Sequence, residues 1–165
     1  MAIIRPFRAI RPIAEKAEKV AALPYDVMSS EEAREMVKDN PYSFLHIDKA
    51  EIDLDPSIDL YHEKVYQKAK QNMEDMIKNG IMIQDETPLF YIYYLTMNGK
   101  SQTGLVVCTS IDEYLDNTIK KHELTRADKE KDRIRHVDIL NANTGPIFLA
   151  YHRNEQVKSI LHSIM

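Results

Sequence analysis

Helical and extended patterns alternate along the chain, and Asn98-Gly99 separates two runs of aromatic and β-branched residues. With 165 residues, of which 44% are apolar and 29% charged, these patterns predict one α+β domain with a mixed, largely antiparallel sheet. The tight hairpin at 89–111 argues against a doubly wound parallel sheet, whose strands need long crossovers. A chain of this length buries roughly two-thirds of its unfolded surface, enough for one ordinary core.

The first extended element is Ile3 to Ile10, where Arg5, Pro6 and Arg8 interrupt the apolar residues. Proline cannot donate to a ladder, so an edge strand is expected. AEKAEKVAA follows as a short helical stretch, and Leu23-Pro24-Tyr25-Asp26-Val27 as a turn. Ser29 with Glu32 three residues later is a capping-box pattern and predicts a helix over about 31–38. Asn40-Pro41 ends it, since proline pushes the preceding residue out of the α region. SFLHI reads as a short strand, and DKAEIDLDPSID, with five carboxylates in twelve residues, as a solvated loop.

The clearest helix is predicted over 59–79. Tyr61, Val65, Tyr66, Ala69, Met73, Met76 and Ile77 recur at three- and four-residue steps, with Gly80 in the capping position. This stripe reads as core, although exposed Met and Tyr would also suit a homo-oligomer interface. Leu89–Met97 and Leu105–Ile111 read as the two strands of the hairpin. A second helix is predicted over 128–143, with acidic residues in its first turn and Gly145-Pro146 behind it. PIFLAY reads as a strand, and NEQVKSILHSI as a terminal amphipathic helix. No internal repeat is present.

The balance of 22 basic against 26 acidic residues, net −4, argues against coating nucleic acid or an anionic membrane by bulk charge. No apolar stretch approaches the roughly 20 residues that span a bilayer, and the N-terminus lacks the apolar core of a signal peptide. A single cysteine, Cys108, excludes an internal disulfide and a thiolate zinc site, and suits a reducing, cytoplasmic setting. Cys108 is expected to be a buried, inert thiol in its strand. The six histidines form no HExxH pair; neither zinc nor haem is expected, and His136 reads as a surface or packing residue. GxGxxG, Walker and GxSxG motifs are absent, so any phosphate site must rest on basic and polar side chains.

Two segments are candidates for chemistry. Residues 120–135 carry a net charge of +3 and leave −7 for the rest of the chain. Within them, Lys121, His122, Glu123, Thr125 and Arg126 lie between a strand and a helix. There, cations and backbone N–H groups suit a phosphate while a carboxylate positions Mg²⁺ or a hydroxyl. The alternative is a solvated loop with weak surface ion pairs, which composition alone favours. The second candidate is the Pro24-Tyr25-Asp26 turn, a rigid approach to an exposed carboxylate and phenol; there the alternative is a turn that helps cap the next helix.

IIRPFRAIRP, LPYDVMSSEEAREMVKDNPYSFLHI and KHELTRADKEKDRIRHVDILNANTGPIFLAY, in this order, resemble the N-terminal part of the bacterial family catalogued as domain of unknown function 1015. Members of that family are typically more than twice this long, with a downstream DGHHR-type motif like that of ParB-related domains and free-serine kinases. His152-Arg153 is not that motif. The resemblance implies ParB/sulfiredoxin-like elements and a fragment of a small-molecule kinase that uses ATP and Mg²⁺ with serine as substrate. It implies Glu123 as base or metal-facing carboxylate, and Lys121, His122 and Thr125 with Arg126 as phosphate partners. Asp132 and Arg133 would support the loop, and Pro24, Tyr25 and catalytic Asp26 would form a second wall. A ParB-like nucleotide switch and a non-catalytic interaction domain are the alternatives; nucleic acid is disfavoured as partner by the overall acidity.

Overall fold

A computed structural model describes residues 2–122 and 125–164. In chain order the elements are β1 (Ile4–Arg5), β2 (Ile10–Pro12), α1 (Ala17–Val20), α2 (Ser30–Val37), α3 (Leu45–Asp48), α4 (Glu63–Lys78) and β3 (Met82–Gln84). They continue with β4 (Tyr91–Met97), β5 (Lys100–Val106), β6 (Cys108–Thr109), α5 (Ile111–Leu115), α6 (Ala127–Leu140) and α7 (Glu155–Ile164). Short 3₁₀ turns lie at Ala14–Lys16, Tyr25–Val27 and Ala50–Asp53. The fold is α+β as expected. Its described strands pair as three antiparallel ladders of two strands, β1 with β6, β2 with β3 and β4 with β5.

The chain divides into two compact units: residues 10–85 with 123–144, and residues 1–9 with 86–122 and 145–165. The first unit is built on α4. Val65, Tyr66, Ala69, Met73 and Met76 form its buried stripe, and Gly80 follows at φ +68°, a conformation in which a side chain is strained. Val65, Ala69, Met73 and Met76 pack with Val20, Ile47, Ala50, Ile81, Met82 and Leu140. A second cluster joins Ala33 and Val37 of α2 to Leu45 and Ile52. The capping box of α2 is formed: Ser29 Oγ accepts from Glu32 N at 3.2 Å, and Glu32 Oε2 accepts from Ser29 N at 2.7 Å.

Several expectations in this unit need correction. SFLHI is not a strand. Leu45 and Ile47 are both buried but belong to different clusters, and a strand would send residues two apart to one face, whereas a helical turn separates them. The acidic segment after it is not simply solvated: it contains the 3₁₀ turn Ala50–Asp53 with Ala50, Glu51 and Ile52 buried. Glu51 is sustained there by Lys49 Nζ at 3.1 Å and Ser30 Oγ at 2.7 Å. Arg34 donates to the carbonyls of Glu51 and Ile52 at 2.9 and 3.1 Å. The long helix starts at Glu63 rather than Asp59, because Asp59 Oδ1 closes a local turn on Tyr61 N and His62 Nδ1 caps Lys64 N. Helix α6 ends at Leu140, three residues early, on Asn141 in the left-handed conformation.

In the second unit, Asn98 and Gly99 both take positive φ, 52° and 72°, as a two-residue hairpin turn requires. Phe7 bridges Leu89, and the Tyr91 hydroxyl donates to the Phe7 carbonyl at 3.2 Å. The hairpin's second strand is Lys100–Val106 rather than 105–111, because a two-residue turn sets Met97 opposite Lys100. Cys108–Thr109 pairs with β1 instead, and the extended run ends before Ile111. Ser110 caps a helix, α5, in its place, its Oγ accepting from Glu113 N at 3.4 Å. PIFLAY forms no strand: Ile147 and Phe148 are exposed, and a β-prone run becomes a strand only where a ladder partner receives it. Cys108 is exposed, not buried, because β6 is a two-residue edge.

Candidate functional site

The most convergent polar group in the first unit surrounds Arg133 on α6. Its guanidinium is pinned from two sides: Nε and a terminal nitrogen donate to Asp132 Oδ2 at 2.8 and 2.7 Å, and the plane lies over the Tyr25 ring, 4.5 Å to the centroid. Asp132 is in turn fixed by the Tyr66 hydroxyl, which donates to Oδ1 at 2.8 Å. Burial, reinforced by the Asp132 charge, pushes the Tyr66 phenol above its ordinary value, so it stays a donor. Arg135, two residues further along α6, lies over the Tyr66 ring, 5.2 Å from its centroid, and pairs with Glu63.

Arg133 and the buried His136 also act on Asp48 at the end of α3. Burial raises the Asp48 carboxyl, opposed by a 2.7 Å hydrogen bond from Thr144 Oγ1 and by the charges of His136 and Arg133. His136 Nε2 lies 3.2 Å from the Ile47 carbonyl. A carbonyl only accepts, so the proton is on Nε2. Burial holds this imidazole below its ordinary pKa, and Nδ1 has no hydrogen-bond partner among the described residues. The structure therefore brings together a cation whose side chain is 31% exposed, a carboxylate that accepts from a threonine hydroxyl, and a buried histidine. Such a group suits an anion: the guanidinium offers forked donors, and its geometry is settled before any ligand arrives.

The sequence-predicted residues divide accordingly. Tyr25, Asp132 and Arg133 meet. Asp26 is exposed on the same 3₁₀ turn as Tyr25. Thr125 and Arg126 are exposed at the start of α6, where Arg126 forms a forked pair with Asp128 at 2.8 and 3.1 Å. Lys121 and His122 belong to the second unit, where Lys121 Nζ sits 4.6 Å from the Tyr114 centroid. Glu123 lies outside the described residues.

Residues 4–165 match the model of a family described as "Protein of unknown function (DUF1015)". The chain belongs to this family. No curated protein and no solved structure matches it. No helix among the described residues of this DUF1015 chain is long and apolar enough to cross a membrane.

Sequence reasoning missed Asp48, Tyr66, His136 and Thr144 as members of the cluster. Tyr66 and His136 look like packing residues at helical spacing, and they are; their polar atoms become visible only when α4 and α6 are set side by side. Asp48 was one of five carboxylates in a run. Its place directly after the apolar Leu45 and Ile47 is the only signal that it is partly held inward.

Proposed function

We propose that this DUF1015 chain supplies the phosphate-binding part of an ATP- and Mg²⁺-dependent small-molecule kinase that acts on an alcohol such as serine. The observation that carries the reading is the Tyr25–Arg133–Asp132 stack: a guanidinium fixed by a carboxylate and an aromatic ring, yet open on one side. A transferring phosphoryl group gathers charge on its oxygens, and a pre-positioned guanidinium stabilises that charge without reorganising. The family resemblance supports Glu123 as the base that takes the acceptor's proton, with Asp26 as the second carboxylate. The resemblance likewise supports Lys121, His122, Thr125 and Arg126 as phosphate partners.

Among the described residues no three His, Cys, Asp or Glu side chains group as a cation site. Under this reading Mg²⁺ would be supplied with the nucleotide substrate.

Calorimetric titration of the chain with Mg-ATP, with and without serine, tests the reading. Arg133→Ala is expected to weaken binding about 10- to 100-fold, the worth of a charge-assisted hydrogen bond. Lys131→Ala removes the same charge from an exposed position on the same helix and is expected to change it little. Equal losses in the two variants, or no binding by the parent chain, would overturn the assignment. A second reading, an interaction domain, is favoured by the exposed Tyr93, Tyr94, Leu95 and Met97 of the hairpin; it predicts that no nucleotide binds at all.

A further inference from the structure

His46 stands on α3 with an acceptor at each ring nitrogen. Nδ1 is 2.8 Å from Asp53 Oδ1, and Nε2 is 3.2 Å from the backbone carbonyl of Asn40. A neutral imidazole has one N–H, so it satisfies one of these contacts and turns a lone pair toward the other; only imidazolium donates to both. The contacts around the ring extend this requirement across the first unit. Asp53 Oδ2 also accepts from Asn72 Nδ2 of α4 at 2.7 Å, and the same amide nitrogen donates to the His46 carbonyl at 2.6 Å. Asn40 Nδ2 donates to the Lys19 carbonyl of α1 at 2.7 Å. One ring thus joins the turn after α2 to the 3₁₀ turn Ala50–Asp53, and through its two acceptors reaches α1 and α4.

We propose that His46 is a proton-operated clamp: charged, it holds residues 40–54 against α4, and neutral, it releases one contact and loosens that segment. The consequence reaches the Arg133 cluster because α3 is a single turn. The residues directly after His46 are Ile47, whose carbonyl holds His136, and Asp48, which holds Thr144. This inference goes beyond the kinase reading and does not depend on it.

The charges facing the ring agree with the geometry. The Asp53 hydrogen bond raises the His46 pKa, burial opposes it, and Lys68 on α4 opposes it more weakly. Arg34 of α2 and Lys38 directly after it line the same hollow. Arg34 is committed to backbone carbonyls and Lys38 to Glu35. Burial alone would raise Asp53, but the donors on His46 and Asn72 outweigh it and keep the carboxylate ionised. Since the folded pKa of His46 is raised, the clamp's stabilisation is fully present below the ordinary value of about 6.5 and is lost as pH rises through the folded value.

Long-range ¹H–¹⁵N correlation of the imidazole nitrogens on the intact chain, titrated from about pH 5 to about pH 9, reads the clamp directly. Both His46 nitrogens are expected to carry protons at about pH 6.5, one of them being lost as pH rises further through the folded value. The backbone amides of Asp48 and Thr144 are expected to shift with the same midpoint as the ring. Asp53→Asn is expected to lower that midpoint. A singly protonated His46 ring at about pH 6.5, or Asp48 and Thr144 signals that ignore its titration, would overturn the proposal. If Asp53→Asn does not fold, the parent titration alone decides, and no nucleotide enters any of these measurements.

Discussion

Of the sixteen buried apolar residues described, fifteen lie in the unit formed by residues 10–85 and 123–144, and the other unit holds one, Leu161. The second unit is not poor in apolar residues. LFYIYYLTM, LVVCTSI and PIFLAY are among the most hydrophobic stretches of the chain, yet Tyr93, Tyr94, Leu95 and Met97 are exposed on both faces of the hairpin, and Phe148 is 79% exposed. The difference lies in what each element can enclose. A helix such as α4 gathers its apolar residues on one stripe, which α3 and α6 cover. A ladder of two strands alternates its residues between two faces and covers neither by itself.

Native-state amide exchange is expected to divide the units most widely. Core helices open only with global unfolding, whose free energy is typically about 5–15 kcal/mol, whereas marginal elements open at nearly no cost. Amides of Val65 to Met76 are expected to be protected by several orders of magnitude more than those of Tyr91 to Val106. Comparable protection in both segments would remove the distinction between a packed and an open unit.

Truncation measures the same contrast residue by residue. Leu45 is 1% exposed, and Leu45→Ala is expected to cost about 2–5 kcal/mol, the sum of lost burial and a cavity in a packed core. Met97 is 75% exposed, and Met97→Ala is expected to stay within about 0.5 kcal/mol. Urea titrations of the two variants give both numbers. A costly Met97→Ala would mean that the hairpin is covered after all.

The same contrast explains what the sequence reveals. Elements carried by a long period or by a local chemical device are legible: α4 by its stripe, α2 by Ser29 and Glu32, and the hairpin by Asn98-Gly99. Elements decided by distant partners are not. SFLHI is a helical turn because two separate clusters claim Leu45 and Ile47, and PIFLAY is irregular because no strand among the described residues receives it. The candidate site follows the same rule. Tyr25, Asp132 and Arg133 announce themselves as polar residues in unusual segments, but Asp48, His136 and Thr144 join them only through contacts 89 and 96 residues apart in the chain.

Helix caps provide the smallest and cleanest comparison, because both units place a serine three residues before a glutamate. In α2 the exchange is reciprocal, Ser29 Oγ receiving Glu32 N and Glu32 receiving Ser29 N. In α5 it is one-sided: Ser110 Oγ receives Glu113 N at a longer 3.4 Å, while the Glu113 carboxylate accepts from Ile3 N. Ser29→Ala is therefore expected to cost about 1 kcal/mol, or about 2–4 °C in Tm for a chain of this size, and Ser110→Ala less. The pH dependence of the first has a definite sign. Ser29 holds the Glu32 carboxyl below its ordinary 4.5 through the backbone donor first and the side chain second. The resulting stability is present above pH 4.5 and is lost as pH falls through the folded value. Thermal melts of Glu32→Gln should flatten across that acid range relative to the parent, and a parent whose melting point ignores that range would show that the box contributes no charge-dependent stability.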